Sequence, residues 1–337
     1  MVKLSSLGDV IHALPVAHAL RRSLPDSHLT WIVEARERRV LTDHPELDSV
    51  VPLDTRGWRR LMWTAAGARV VMAELRRFAR WIRHAGFDVA IDLQGLVKSG
   101  LLTAATRAPL RIGFARTHCR EPWNALFTNR HVTPPPAAVH VVEQYLSLLT
   151  PLGITERHPV FHLPGRREAE QTIECFLAEH EVKPQDRLVA VNPGAGRADK
   201  RWPVAHFRRL AQRLADEAAC RVLILWGPAE QGLVSAIGEG LIPPPMSAPP
   251  TNLHELAALF RRVSLVVAGD TGPLHLAAAL GTPALGLYGP TRAERNGPYG
   301  ARCRALQSPD GTMAALTPDR VFRVAAELLD ENSGGFR

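Results

Sequence analysis

Short, uniformly apolar runs alternate with amphipathic stretches along this chain, and each change of period marks an element. LTWIVEA (29–35), SVVPL (49–53), FDVAIDLQ (87–94) and LRIGFA (110–115) have the length and composition of strands, and a 3.6-residue pattern between them, as over 64–85, predicts helices. A proline-rich connection, HVTPPPAAVH (131–140), leads into a helix over 141–152, and GITERHPVFHLPGRRE (153–168) has the composition of a linker or edge segment. The alternation then resumes with strands RLVAVNPG (187–194), RVLILWG (221–227), SLVVAGD (264–270) and PALGLYG (283–289), separated by helices over 203–218, 253–262 and 273–280. Strands this apolar are buried on both faces, and βα alternation implies parallel sheets covered by helices. Two Rossmann-like halves joined near 153–165 fit better than one large sheet. In such sheets ligands sit beyond the carboxyl ends of the strands.

Length agrees, since 337 residues suit two domains of roughly 150 residues each. No apolar run approaches the roughly 20 residues that span a bilayer, and the start does not read as a secretory signal. The four cysteines, Cys119, Cys175, Cys220 and Cys303, are scattered without a CxxC pair, which argues for a reducing compartment and against structural zinc. The formal charge of +8 favours acidic partners: nucleic acid, an anionic membrane surface or phosphorylated substrates. Arginine inflated by GC-rich coding explains the charge equally well. Nucleic acid is disfavoured, because no helix-turn-helix, zinc-finger or RNP-like pattern occurs.

Four loops at strand carboxyl ends carry polar residues. In SSLGDVIHALP, Asp9 follows Gly8 and precedes an apolar helical stripe. It fits either an N-cap or a carboxylate facing a ligand that Gly8 lets approach closely. In DLQGLVKSG, Lys98 stands near a helix start, against the macrodipole, which suits a bound anion or a solvated lysine. NPGAGRADKRWP offers backbone N–H groups around two glycines and a cation at Lys200, or else a plain charged turn. It is not a Walker loop. AGDTGPLHLAAALGTP opens a helix after Asp270, so N–H groups near Thr271 and Gly272 form an anion site that His275 can reach. There, too, Asp270 or Thr271 can serve simply as a cap, with His275 a half-buried polar group.

Together, KLSSLGDVIHALP, DLQGLVKSG, DKRWP and DTGPLHLAAALGTPALGLYGPT resemble the ADP-heptose:lipopolysaccharide heptosyltransferases over residues 1–325. DTRGWRR (54–60) and CREPWNALFTNRH (119–131) are most similar to the branch acting on Kdo-lipid A. The resemblance implies an α/β GT-B architecture with two Rossmann-like domains whose parallel sheets face across a cleft. Its domains are an acceptor-binding 1–158, an ADP-sugar-binding 159–325 and a tail 326–337. It implies inverting transfer of heptose from ADP-heptose to Kdo, with Asp9 and Lys200 as catalytic residues. Ala195, Gly196, Lys200, Glu230, Asp270, Thr271, Gly272 and His275 would bind the donor. Ser6, Arg56, Arg59, Arg60, Gln94, Lys98 and Arg120 would face the acidic acceptor. It further implies no metal or other cofactor, a monomer, and a cytoplasmic protein peripheral to the inner leaflet of the inner membrane.

Two departures stand out. Met1-Val2-Lys3-Leu4 makes a shorter first strand than the family pattern, and Ala195 and Gly196 replace the threonines expected before the DDK-type triplet. Heptosyltransferase II, another core-oligosaccharide transferase, and a sugar-nucleotide-binding protein without turnover are the alternatives. A dinucleotide-dependent oxidoreductase is disfavoured because no GxGxxG follows a strand.

Overall fold

The computed structural model, which describes residues 1–156, 158–227 and 230–333, divides the chain into units Met1–His162 and Leu163–Arg337. The division falls slightly beyond the expected 158/159 junction because His162 stays bonded to the first unit through His44 and Glu46.

In the first unit, β1 (Thr30–Glu34) and β2 (Ser49–Leu53) pair in parallel, and β3 (Val89–Ile91), β4 (Leu110–Phe114) and β5 (Arg130–Val132) form a second parallel group. Residues 1–4 join the two groups. On one side the Lys3 N–H donates to the Ile32 carbonyl (3.2 Å) and the Ile32 N–H to that of Met1 (3.0 Å). On the other, the Val2 N–H donates to Ile91 (2.8 Å) and the Leu93 N–H to Val2 (3.0 Å). The order is therefore β2-β1-(1–4)-β3-β4-β5, and the stub that looks short in sequence lies at the centre. Val2 and Leu4 pack there with Ile32, Leu53 and Ile82. β5 overlaps the start of the stretch read as a connection (131–140): Arg130 and His131 are exposed and Val132 alone is buried, so it lacks an apolar signature. The helices are α1 (Leu7–His12), α2 (Leu14–Ser23), α3 (Thr55–Leu61), α4 (Ala65–His84), α5 (Val97–Ala105) and α6 (Val141–Ser147).

Among the described residues the second unit carries six parallel strands: β6 (Leu188–Asn192), β7 (Arg221–Ile224), β8 (Met246–Ser247), β9 (Leu265–Gly269), β10 (Ala284–Tyr288) and β11 (Cys303–Gln307). Their order is β11-β10-β9-β6-β7-β8. β6, β9 and β10 are buried throughout, as their unbroken apolar runs require. Around them lie α7 (Arg167–Glu179), α8 (Val204–Asp216), α9 (Gln231–Gly238), α10 (Leu253–Phe260), α11 (Gly272–Ala279), α12 (Ala293–Asn296) and α13 (Pro318–Ser333). Residues 326–333 are thus not a tail. They complete α13, whose Leu328 and Leu329 enter the same core as Phe207 and Leu285; residues 334–337 lie outside the described residues.

Counting residues 1–4 as a strand, each unit has the order 3-2-1-4-5-6 of a dinucleotide-binding sheet, which reverses direction beside its first strand. Ligands bind at that reversal, outside the strand carboxyl ends. It falls between residues 1–4 and β3 in the first unit and between β6 and β9 in the second.

Candidate active site

At the first reversal the chain leaves residue 4, turns through Ser5 and Ser6, and enters α1. Asp9 is the third residue of that helix, and its Oδ2 accepts from the Ser6 backbone N–H and the Ser6 hydroxyl, both at 3.0 Å. Ser6 is the N-cap residue of α1, and Asp9 at the third helical position reaches back to it, as the acidic residue of a capping box does. The other oxygen faces a different pair: the Tyr145 hydroxyl donates to Oδ1 at 3.3 Å, and Lys3 Nζ lies 3.6 Å from it. Lys3 is 2% exposed and also donates to the Tyr145 hydroxyl (2.5 Å) and the Leu93 carbonyl (3.3 Å). A buried ammonium is costly without partners, and here it has a carboxylate, a phenol and a backbone carbonyl. Asp9, bonded back to the N-cap Ser6, remains 29% exposed and so also faces solvent.

The adjoining loop, 92–99, is built on Asp92. That carboxylate is fully buried and accepts from the Gln94 and Gly95 N–H groups (2.8 and 3.1 Å), Ser99 Oγ (2.9 Å) and Asn124 Nδ2 (2.6 Å). Burial pushes its pKa upward, and the four donors oppose that shift. Gln94 is turned inward: its Oε1 accepts from Leu4 N–H (2.9 Å) and Ser5 N–H (3.3 Å), and its Nε2 donates to the Ser5 carbonyl (2.9 Å). Through these bonds Gln94 braces the Ser5–Ser6 loop. Lys98 pairs with buried Glu34 at 3.3 Å, and Glu34 also accepts from Thr55 at the start of α3. Its charge is therefore partly spent inside the protein.

Arg56, Arg59 and Arg60 lie exposed along α3, which Asp54 caps through the Gly57 N–H (2.8 Å). Arg120 is exposed beside the 94–98 loop. There Gly95 takes a φ of +70°, and a Cβ on it would meet the Arg120 backbone nitrogen at 3.2 Å. The Glu121 N–H donates to the Gly95 carbonyl (2.9 Å), and the Glu121 carboxylate accepts from Val97 N–H (2.7 Å).

The second reversal gathers the other group. Lys200 Nζ donates to Asp270 Oδ2 at 2.6 Å, and His275 Nε2 bonds to Asp270 Oδ1 at 3.1 Å. Burial opposes ionisation of Asp270, yet the His275 contact and the Lys200 ammonium outweigh it and hold the carboxyl well below the usual range. Thr271 is the N-cap residue of α11, Gly272 is its first residue, and Asn192 at the end of β6 donates to Thr271 Oγ1 (3.2 Å). The first turn of such a helix presents backbone N–H groups and a positive dipole end to an anion.

Beside it, Glu230 Oε2 accepts from the Gly227 N–H (3.0 Å) and leans over Gly194, where a Cβ would meet that oxygen at 2.1 Å. Arg201 donates to the Ala195 carbonyl (3.1 Å) and lies 3.9 Å from Glu230 Oε1. Ala195 is buried and Gly196 has open space around it. Pro228 and Ala229 of the WGPAE motif lie outside the described residues.

Sequence reasoning missed Lys3, Tyr145, Asp92 and Arg201. A lysine inside an apolar central stub and an aspartate closing a buried strand were available signals. Tyr145 reaches Asp9 through the fold alone.

The profile of Glycosyltransferase family 9 (heptosyltransferase) matches residues 75–322. Lipopolysaccharide heptosyltransferase 1 of Salmonella typhimurium is 31% identical over 330 residues, spanning 96% of this chain and 98% of the relative. E. coli heptosyltransferase WaaC with ADP superposes with a TM-score of 0.79 at 28% identity, over 97% of this chain and 98% of that one. The same enzyme with ADP-2-deoxy-2-fluoro heptose gives 0.77 at 28% identity and the same coverage.

Proposed function

The chain belongs to glycosyltransferase family 9, the heptosyltransferases, and from that premise we propose that it moves heptose from ADP-heptose to the Kdo residue of Kdo-lipid A. It is a glycosyltransferase of lipopolysaccharide inner-core synthesis with the two Rossmann-like units of the GT-B fold. The observation that carries the donor assignment is the Lys200–Asp270–His275 cluster at the N-terminus of α11, on the strand reversal of the second unit.

In this reading the donor diphosphate takes the α11 N–H groups and the Lys200 ammonium, while Asp270 and His275 fix the lysine's direction. Glu230 and the glycine beneath it receive the nucleoside. Asp9 removes the proton from the attacking acceptor hydroxyl, and ADP departs from the opposite face of the sugar, inverting the anomeric centre. Charge grows on the departing diphosphate, so donors already in place there lower the barrier. A general base contributes about 10²–10⁴-fold. No step calls on a metal.

Arg56, Arg59, Arg60 and Arg120 suit the carboxylates and phosphates of the acceptor, which guanidinium groups grip in bidentate fashion. A peripheral membrane position fits the same region. The turn between α3 and α4 exposes Leu61, Met62 and Trp63, the last 88% exposed, and α4 carries Arg69, Arg76, Arg77, Arg80 and Arg83. Basic amphipathic helices with an aromatic tip lie in anionic interfaces. Among the described residues no helix is long and apolar enough to cross a membrane.

The decisive experiment supplies purified protein with ADP-heptose and Kdo-lipid A and follows ADP release. Turnover is expected, and Asp9→Asn should keep donor affinity while losing at least about 100-fold in kcat. A folded protein that releases no ADP overturns the reading.

A further inference from the structure

Away from both strand reversals, three side chains of the first unit converge. His18 projects from α2, Glu46 from the loop before β2, and His162 is the last residue of the unit. His18 Nδ1 lies 2.5 Å and His162 Nδ1 3.2 Å from the same carboxylate oxygen, Glu46 Oε1, and one ligand atom from each residue falls within 4.8 Å of the others.

The Glu46 side chain is 8% exposed, and its second oxygen, Oε2, is buried with no hydrogen-bond partner. An ion pair with the histidines accounts for this poorly. Both rings address Oε1, and Oε2 keeps the desolvation cost of a buried, unsatisfied acceptor.

The surroundings hold these residues in position. The Glu46 carbonyl accepts from Arg21 Nε and Nη2, both at 3.3 Å, and its N–H donates to His44 Nδ1 (3.4 Å). His44 Nε2 bonds to the His162 carbonyl at 2.8 Å, which anchors the backbone that presents the third ligand. These bonds fix the backbone from which Glu46 and His162 project.

We infer that His18, Glu46 and His162 form a binding site for one divalent transition-metal ion, with zinc the best match. Two imidazoles and one carboxylate are a zinc donor set, with bonds of about 2.0–2.2 Å. Tetrahedral geometry at those lengths sets ligand atoms roughly 3.4 Å apart, within the 2.5–4.8 Å spread here. Calcium and magnesium prefer all-oxygen sites. Binding gives the buried carboxylate a counter-charge and brings Oε2 within reach of a partner. The half-exposed His162 leaves a fourth position to water. The ion fastens the final residue of the first unit to α2. It takes no part in sugar transfer, and the inference stands apart from the transferase reading.

The test uses the full chain, stripped with a chelator and titrated with Zn²⁺ by calorimetry and with Co²⁺ by absorption spectroscopy. One equivalent should bind, with a visible Co²⁺ spectrum of tetrahedral intensity, and saturating Zn²⁺ should raise the Tm. His162→Gln, at an exposed position that leaves packing intact, should weaken binding at least about 10-fold; His18→Gln and Glu46→Gln should do the same. Absence of a stoichiometric site overturns the inference. So does a site whose affinity is unchanged in His162→Gln and His18→Gln, since it would then belong to other histidines. Heptose transfer by stripped protein at the rate of the loaded protein supports a structural ion, and a rate that falls in proportion to metal removal overturns that assignment.

Discussion

The Lys3 ammonium stands 3.6 Å from Asp9 Oδ1, and the Tyr145 hydroxyl bridges the two by accepting from the first and donating to the second. A buried cation thus sits behind a carboxylate that faces solvent. An opposite charge at this distance favours the ionised carboxylate. Lys3→Met should therefore move the pH below which kcat falls upward, leaving donor affinity unchanged. Tyr145→Phe, which keeps the ring but not the bridge, should show a smaller shift in the same direction. Profiles that superimpose on wild type would separate Lys3 from the work of Asp9.

Gly194 gives Glu230 its position. A methyl group there would meet Glu230 Oε2 at 2.1 Å, so Gly194→Ala must push the carboxylate away. The expected result is a donor KM raised about 10-fold, equivalent to roughly 1.4 kcal/mol, with acceptor KM and Tm nearly unchanged. Equal increases for donor and acceptor would disconnect Glu230 from the nucleoside.

Asp270 predicts a pH dependence of stability. Its folded pKa lies below the unfolded value of about 3.9, because His275 and Lys200 outweigh the cost of burial. The unfolded chain thus binds the proton first as pH falls. The stabilisation is complete above about pH 4 and is lost toward the lower folded value. Urea denaturation of wild type and Asp270→Asn should show a stability gap that narrows as pH falls below about 4. A gap that holds its size at pH 3 contradicts this account.

Trp63, at 88% exposure on the α3–α4 turn, tests the membrane reading separately from chemistry. Trp63→Ser with Met62→Ser should weaken sedimentation with phosphatidylglycerol-containing vesicles about 10-fold, by removing apolar area that enters the interface. Activity on detergent-dispersed acceptor should stay at wild-type level. Undiminished vesicle binding would leave the arginines, or the lipid acceptor itself, as the attachment.

The fold was legible where elements are buried on both faces. β1, β6, β9 and β10 coincide with apolar runs because their centres are buried on both faces, with the buried polar residues Thr30, Glu34 and Asn192 confined to strand ends. Legibility failed at edges. β5 and β8 are short and largely exposed, so their sequences carry backbone pairing and little else. α7 and α13 were lost to charge-rich composition, although Ile173, Leu328 and Leu329 are buried.

At the site, residue types after strands were readable, since strand carboxyl ends are where loops gather. Which way a side chain points was not. Gln94 turns inward to brace Ser5, Lys98 pairs with Glu34, and Tyr145 arrives from a helix more than a hundred positions away. Those outcomes depend on tertiary neighbours that local spacing does not encode.

Residues 1–4 bond to Ile32 and Glu34 on one side and to Ile91 and Leu93 on the other. This gives the first unit an order of assembly opposed to its order of synthesis. The middle strand leaves the ribosome before either flank exists, and its second flank emerges only after α4 has been made. Until then the nascent sheet has an open seam, with unpaired backbone that invites foreign strands. The segment that organises the first unit is therefore also the one that keeps it waiting, and chaperone demand during translation should concentrate on that interval.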